Sequence, residues 1–253
     1  MPKFAANLTL MFTEVAFLDR FDAAKTAGFK GVEFLFPYDH DPDEINRALK
    51  GCGLPLILFN TPMGDRTLGE FGHAALPDAK ERFRDGLAKA LKYAAVLKPH
   101  FIHVMTGVAQ GCAAEICLIE NLRDATMNNP EQDFLIEPLN NHDMPRYFLV
   151  DLPTARRVIK AVNAPNLGLQ FDAYHIKQRG GDLVQDWAAN RDLARHVQIA
   201  GTPGRHEPMP SEINYALFFQ QLDSDGYDGF VSGEYHPRGA TLAGLNWLNP
   251  TSP

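Results

Sequence analysis

The sequence has 253 residues, of which 24 are Lys or Arg and 31 are Asp or Glu, so its formal net charge is −7. With 45% hydrophobic and 22% charged residues, its composition is that of a globular protein, not a disordered or fibrous one. The acidic balance argues against nucleic acid as a partner, because a phosphate backbone requires a basic face. No apolar run approaches the ~20 residues of a membrane span. The three cysteines form no C-x-x-C pair, so we expect a reduced, cytoplasmic protein that does not bind membranes.

Short apolar runs, each followed by a segment with helical spacing, recur along the chain. The runs predict eight strands at Phe4–Leu10, Gly31–Phe36, Pro55–Asn60, Phe101–Met105, Phe134–Pro138, Leu167–Asp172, His196–Ile199 and Phe230–Tyr235. Several are apolar almost throughout, as in parallel strands that are buried on both faces. Between them, Phe17–Thr26 and Ala79–Leu97 have apolar residues at three- and four-residue steps, which predicts amphipathic helices, with Gly28 as a C-cap of the first.

Eight βα units of about 30 residues each are the spacing of a (β/α)₈ barrel. We therefore predict an α/β protein with a single TIM-barrel domain over residues 1–253. Neither a dinucleotide-binding glycine fingerprint nor a Walker phosphate loop follows a predicted strand. The long loops Thr61–Leu76 and Ala200–Ser211, after the third and seventh strands, are candidate lids or binding loops, and Asn249–Pro253 predicts a frayed tail.

Four consecutive predicted strands each deliver one oxygen-bearing side chain to the same rim. These are Glu137 in FLIEP, Asp172 in LQFD, Gln198 in HVQIA and Glu234 in VSGEYHP. The C-terminal rim of a barrel carries the active site, and charged groups are costly there unless they are paired or ligated. A single residue of this kind would more often cap a helix or pair with Arg, but four on consecutive strands favour a site. Three carboxylates and an amide suit Mg²⁺ or Mn²⁺, and a divalent cation would relieve the carboxylate repulsion.

Longer motifs resemble a known family. The segments LIEPLNNHDMPRYFL, LGLQFDAYHI, HVQIAGTPGRHEPMPSEINY and LDSDGYDGFVSGEYHP are similar to the hydroxypyruvate isomerase family, which includes 2-oxo-tetronate isomerases. VEFLFPYD, LILFNTPMGD and HVMTG extend the resemblance over essentially the whole chain. The resemblance implies a xylose-isomerase-like TIM barrel in which Glu137, Asp172, Gln198 and Glu234 hold a divalent metal. It also implies that Glu137 and Glu234 are the two carboxylates that transfer protons.

This set of residues suits the isomerisation of a small α-hydroxy carbonyl compound. One carboxylate removes the proton from the hydroxyl-bearing carbon, and the other reprotonates the neighbouring carbon of a cis-enediolate that the metal stabilises. A hydride shift is less favoured, because only one clear metal site can be assembled. The candidate substrates are small anionic keto acids. Hydroxypyruvate, which becomes tartronate semialdehyde, is the three-carbon case and 2-oxo-tetronate the four-carbon one, and the sequence does not rank them.

An anionic substrate needs a cationic partner. Arg205 and His206 in PGRHEP are the first candidates, since Arg offers a carboxylate a planar two-point contact. Arg205 could equally pair with Glu207 or Glu212 in its own loop. Arg66, in the loop after the third strand, ranks below Arg205.

Polar residues on other strands are candidates for the pocket wall. His175 lies three residues after Asp172, and related sugar epimerases have a similarly placed His that contacts a substrate hydroxyl, so the resemblance gives His175 a substrate role. His103, on the fourth strand, faces the pocket floor or is a core His that is hydrogen-bonded within the barrel. Asn7 and Glu33 line the pocket or fill a layer of the barrel.

Other functions fit the same fold. A ketose 3-epimerase would use the same carboxylate pair on a longer sugar, but by resemblance those enzymes have His at the position of Gln198. A nuclease resembling AP endonucleases would require three metals, more His ligands and a basic face. The net charge of −7 argues against such a face. A non-catalytic sugar-acid-binding barrel would not need both Glu137 and Glu234. A homo-oligomer is compatible with the sequence, which does not fix the oligomeric state.

Overall fold

Eight parallel strands form the centre of the protein. The computed structural model describes residues 2–248, in which the strands are β1 (Lys3–Asn7), β2 (Gly31–Glu33), β3 (Leu58–Asn60), β4 (Phe101–His103), β5 (Asp133–Ile136), β6 (Leu167–Asp172), β7 (Ala194–Ile199) and β8 (Phe230–Gly233). They are hydrogen-bonded in the order β2-β1-β8-β7-β6-β5-β4-β3. The ring is completed between β2 and β3 by a parallel bridge from Val32 to Leu56. The predicted (β/α)₈ barrel is confirmed.

Helices surround the strands. They are α1 (Arg20–Thr26), α2 (Pro42–Cys52), α3 (Lys80–Leu97), α4 (Gly111–Asn128), α5 (Leu152–Val162), α6 (Ala173–Gln178), α7 (Leu183–Asn190) and α8 (Tyr215–Ser224). Short 3₁₀ segments lie at Phe17–Asp19, Arg66–Leu68, Pro77–Ala79 and Thr241–Leu248. None of the helices within residues 2–248 is long and apolar enough to cross a membrane.

The predicted elements differ from the structure mainly at their ends. The predicted strand Phe4–Leu10 ends at Asn7, because the backbone carbonyl of Asn7 accepts from the amides of Leu10 and Met11 in a turn. The predicted helix Phe17–Thr26 is divided into a 3₁₀ turn and α1, and Gly28 follows it with a φ of +99°. The predicted tail Asn249–Pro253 lies outside the described residues.

Side chains along each strand point alternately into and out of the barrel. Those that point inward form an apolar floor and, above it, a polar layer. Residues two apart on a strand face the same side. Ala5 therefore lies below Asn7, and Leu135 lies below Glu137. Ala5, Ile57, Leu58 and Leu135 form a separate buried cluster against Phe101 and Phe230. This floor closes the barrel beneath the polar residues at the C-terminal ends of the strands.

Candidate active site

A cavity of about 380 Å³ opens at the C-terminal rim of the barrel. Four predicted substrate-binding residues line it: His103, His175, Arg205 and Arg66. The apolar residues of its wall are Leu10, Leu35, Phe36, Met63, Phe71, Met105, Leu139 and Met144. His206 is not among the lining residues, and its Nδ1 lies 2.8 Å from the carbonyl oxygen of His236. The cavity is small and polar on one side, as a small polar substrate requires.

The ends of three strands place the three predicted carboxylates. Glu137 directly follows β5, Asp172 ends β6, and Glu234 directly follows β8; all three are buried. Asp172 is also the N-cap of α6, since its Oδ1 accepts from the amides of Tyr174 at 2.7 Å and His175 at 3.4 Å. Capping holds one carboxylate oxygen of Asp172 on the helix and leaves Oδ2 facing the site.

A candidate cation site lies between β5 and α6. Glu137, Asp172 and His175 each offer a ligand atom, and these atoms lie within 4.8 Å of one another. Glu137 Oε1 is buried and has no hydrogen-bond partner among residues 2–248. It lies 3.9 Å from His175 Nε2, which is 3.6 Å from Asp172 Oδ2. A buried carboxylate oxygen without a donor beside a second carboxylate fits a hard divalent cation.

The hydrogen bonds of His175 define which of its nitrogens carries the proton. Its Nδ1 lies 3.1 Å from the backbone nitrogen of Asn140 and 2.7 Å from Asn140 Nδ2. A backbone N–H only donates, so Nδ1 accepts and the proton of the neutral ring is on Nε2. His175 thus points an N–H donor into the site, which suits a contact with a substrate oxygen better than ligation of a cation.

Glu234 lies on the opposite side of the cluster and is bound by Arg205. A guanidinium nitrogen of Arg205 lies 2.5 Å from Glu234 Oε2 and 3.7 Å from Asp172 Oδ2. The same guanidinium lies 5.0 Å from the centre of the Tyr174 ring. Asn7 Nδ2 donates to the other oxygen of Glu234 at 3.2 Å. Arg205 therefore neutralises part of the carboxylate charge.

Gln198, the fourth predicted ligand, is engaged on both ends of its amide. Its Nε2 donates to Glu33 Oε1 at 2.7 Å, and its Oε1 accepts from Gln170 Nε2 at 2.6 Å. Gln170 in turn donates to Glu137 Oε2 at 2.9 Å. The structure therefore joins Gln198 to Glu137 through Gln170 and not through a shared ligand position.

Burial and mutual repulsion control the charges of this cluster. Burial, together with the charges of Asp172 and Glu234, raises the pKa of Glu137 well above its ordinary value. Burial also raises the pKa of Asp172, and it raises that of Glu234 to about 8 despite the opposing charge of Arg205. One arginine does not compensate three buried carboxylates. Their excess negative charge is a second reason why the site fits a divalent cation.

Two buried histidines next to Glu137 are neutral. Burial lowers the pKa of His103 to about 3, and burial with the charge of Arg205 lowers the pKa of His175 well below its ordinary value. His103 Nδ1 lies 3.2 Å from Asn60 Oδ1 and 3.6 Å from Glu137 Oε2. These rings can therefore donate or accept hydrogen bonds in the site without adding positive charge.

Arg66 differs from Arg205 in being unpaired. It begins the 3₁₀ turn Arg66–Leu68 in the loop after β3, and within residues 2–248 its side chain makes no hydrogen bond or ion pair. Asp65 caps this turn, since its Oδ1 accepts from the amide of Thr67 at 2.8 Å. The loop thus presents an available guanidinium at the cavity.

Asn60, Asn140 and Gln170 are among the residues that contact the site and were not predicted from the sequence. The position of Gln170 could have been predicted, because it lies two residues before Asp172 and so faces the same side of β6. Asn60 has the same kind of signal at the end of β3. Asn140 lies in the loop after β5, where no periodicity predicts the direction of a side chain.

The parallel barrel agrees with the description of the xylose isomerase-like TIM barrel family. The chain belongs to this family, whose model matches residues 21–251. It is 45% identical over 258 residues to a 2-oxo-tetronate isomerase of Cupriavidus necator, covering 99% of this chain and 98% of that protein. It is 40% identical over 256 residues to a hydroxypyruvate isomerase of Escherichia coli, covering 99% of each. These relatives confirm the predicted family and the predicted isomerase class.

A solved structure is similar over its full length. The crystal structure described as AP endonuclease, family 2, from Brucella melitensis has a TM-score of 0.96 to this chain at 46% identity, and the match covers 100% of both chains. The match supports the arrangement of the barrel described above.

Proposed function

We propose that the protein isomerises a small 2-keto-3-hydroxy acid by moving a proton between the two carbons that carry the oxygens. The observation that carries this proposal is the pair Glu137 and Glu234, both buried on one cavity in different surroundings. Glu137 lies beside the carboxylate of Asp172, the amide of Gln170 and the ring of His103, whereas Glu234 is bound by Arg205. Different surroundings separate the proton affinities of two carboxylates, as an acid and a base working together require. Relatives named 2-oxo-tetronate isomerase and hydroxypyruvate isomerase support a keto-acid isomerase.

In the proposed reaction one carboxylate removes the proton from C3 of the substrate, and the other delivers a proton to C2. The electron pair of the broken C–H bond forms the C2–C3 double bond of a cis-enediolate. The hydroxyl proton passes from the oxygen on C3 to the oxygen on C2, and protonation at C2 then leaves the carbonyl at C3. The two carboxylates exchange roles in the reverse direction. Proton transfer by positioned carboxylates of this kind contributes about 10²- to 10⁴-fold to the rate.

Glu137 and Asp172 are the residues best arranged to hold a divalent cation, with Glu234 and Gln198 as the further predicted ligands. Mg²⁺ or Mn²⁺ bound there would stabilise negative charge that develops on the substrate oxygens. The donor hydrogen on Nε2 of His175 is directed at the same region and is proposed to bind a substrate oxygen. His103 is proposed to contact the substrate from the cavity floor.

The substrate carboxylate is proposed to bind Arg66, with Arg205 nearer to the reacting carbons. Arg205 is already paired with Glu234 and Asp172, whereas the guanidinium of Arg66, at the same cavity, has no partner among residues 2–248. His206 remains a predicted contact from outside the lining. A cytoplasmic location and a homo-oligomeric state also remain predictions, and the three- and four-carbon acids are both candidate substrates.

Other activities are less well supported. A ketose 3-epimerase would share the carboxylate pair, but an uncharged sugar gives Arg66 no anionic partner. The name of the similar Brucella melitensis structure raises endonuclease activity, yet this chain has a net charge of −7, whereas a DNA-binding face is basic. A binding protein without activity would gain nothing from burying two carboxylates with raised pKa values.

The direct test is turnover of hydroxypyruvate and 2-oxo-tetronate, followed by NMR, by enzyme treated with EDTA and by the same enzyme after addition of Mg²⁺ or Mn²⁺. We expect conversion of at least one acid in the metal-supplemented sample and its loss with EDTA. Absence of conversion of both acids with either metal would overturn the proposal. The ratio of the two kcat/KM values would identify the preferred chain length.

A further inference from the structure

A buried carboxylate that the proposed mechanism does not use lies at the centre of the barrel. Glu33 ends β2 and is fully buried. Its Oε2 lies 2.7 Å from His196 Nε2. Its Oε1 accepts hydrogen bonds from the side-chain amides of Asn7 and Gln198. A carboxyl group that accepts from two amides beside an imidazole is thus held inside the barrel, and burying such a polar group is costly unless it has a function.

The first amide joins Glu33 to Glu234. Asn7 Nδ2 donates to Glu33 Oε1 at 3.0 Å and to Glu234 Oε1 at 3.2 Å, one hydrogen to each carboxylate. Asn7 Oδ1 accepts from the amide of Thr9 at 3.1 Å, so the orientation of the side-chain amide is fixed. Asn7 thus connects Glu33 to one proposed proton-transferring carboxylate by a single side chain.

The second connection runs through two amides to Glu137. Because Gln198 Nε2 donates to Glu33, its oxygen faces Gln170 and accepts from Gln170 Nε2 at 2.6 Å. The same nitrogen of Gln170 donates to Glu137 Oε2 at 2.9 Å. Each amide in this series is oriented by the one before it, and the series begins at an acceptor that cannot donate. Gln198 and Gln170 are almost completely buried, so water does not compete for these contacts.

We propose that Glu33 is a positioning residue that fixes Glu137 and Glu234 through these two connections, an inference that rests on the proposed function. Oε1 of Glu33 accepts from both Asn7 and Gln198, and an acceptor at this position permits one orientation of Gln198 and Gln170. A glutamine at position 33 could donate as well as accept, so both amides could turn over. The oxygen of Gln170 would then face the carboxylate of Glu137, and the geometry of proton transfer would be lost.

The test compares E33Q with H196Q. His196 contacts the second oxygen of Glu33 but belongs to neither connection, and a Gln at 196 can still donate to Glu33. If Glu33 serves only as the structural partner of His196, the two variants will behave alike. If Glu33 positions the carboxylates, E33Q will lower kcat about tenfold or more while KM stays within about threefold. H196Q will change the melting temperature and leave kcat within about threefold of wild type.

Each outcome separates this inference from the proposed function. A wild-type enzyme without turnover would overturn the proposed function and this role with it. An active wild type together with a folded E33Q of unchanged kcat, or equal losses of kcat in E33Q and H196Q, would overturn the role of Glu33 alone. If E33Q lacks the native circular-dichroism spectrum, E33D is measured, which keeps the charge but is one methylene too short to reach both amides. Wild-type kcat in a folded E33D, or failure of both variants to fold, would likewise overturn it.

Discussion

Arg205 donates to Glu234 Oε2 across 2.5 Å, so the arginine predicted to bind the substrate is itself bound by a proposed catalytic carboxylate. The contact gives Arg205 two effects. Its charge opposes the rise in the pKa of Glu234 that burial causes, and its guanidinium borders the cavity next to the reacting groups. Burial opposes the charge of Arg205, but Glu234 and Asp172 outweigh it and raise the pKa of the guanidinium above its ordinary value. Recognition of a distant substrate carboxylate then requires another cation.

Arg66 is expected to supply that recognition. R66Q should raise KM for the keto acid by roughly 10- to 100-fold, because a charged hydrogen bond is lost, while kcat stays near wild type. R205Q should instead lower kcat. Steady-state kinetics of the two variants checks the distinction, with R84Q on the outer surface of α3 as the control arginine. An unchanged KM in R66Q would remove Arg66 from the substrate site.

Replacing either proposed proton-transferring carboxylate should abolish turnover without unfolding the protein. We expect E137Q and E234Q to lower kcat by about 10²- to 10⁴-fold. Their melting temperatures should be equal to or above that of wild type, because each change removes one of three repelling buried carboxylates. E115Q, which alters an exposed ion pair with Arg157, should retain full activity. Full activity in either E137Q or E234Q would exclude the two-carboxylate mechanism.

The stability of the metal-free protein should fall as the pH rises. The pKa of Glu234 is about 8 in the fold, above its ordinary value of 4.5, so the native state binds more protons than the unfolded state between these values. The free energy of unfolding therefore decreases with pH across this window. Melting temperatures measured in EDTA from pH 5 to pH 8.5 should decline, and E234Q should reduce the slope. E115Q should keep the wild-type slope, and a rising melting temperature over this range would contradict the raised pKa.

A divalent cation should stabilise the protein through Glu137 and Asp172. Addition of Mn²⁺ to EDTA-treated, dialysed protein should raise the melting temperature. The free energy of unfolding should increase by about 2.7 kcal/mol when the ion is at 100 times its Kd. D172N should lose most of this shift, because it removes the charge of a carboxylate oxygen that accepts no hydrogen bond from the described part of the chain. D192N, in an exposed pair with Arg156, is the matched control. Equal shifts in wild type and D172N would place the ion elsewhere.

Strand periodicity predicts much of this architecture, and its limits are physical. Buried parallel strands are apolar and the carboxylates interrupt them, so the barrel and the rim positions of Glu137, Asp172 and Glu234 follow from the sequence. The partner of Gln198 does not, because Glu33 is 165 residues away and only the closed ring brings β2 across from β7. The pairing of Arg205 with Glu234 is equally remote from sequence, since a loop residue with a φ of +54° has no periodic direction.

Turnover in D₂O distinguishes proton transfer between C3 and C2 of a keto acid from an internal hydride shift. Metal-supplemented wild-type enzyme is incubated with hydroxypyruvate or 2-oxo-tetronate, and the product is analysed by NMR and mass spectrometry. Proton transfer by Glu137 and Glu234 should give an isomer that carries deuterium at C2, the newly protonated carbon, and E137Q should give no isomer. An isomer formed without deuterium at C2 would indicate an internal hydride shift and contradict the account.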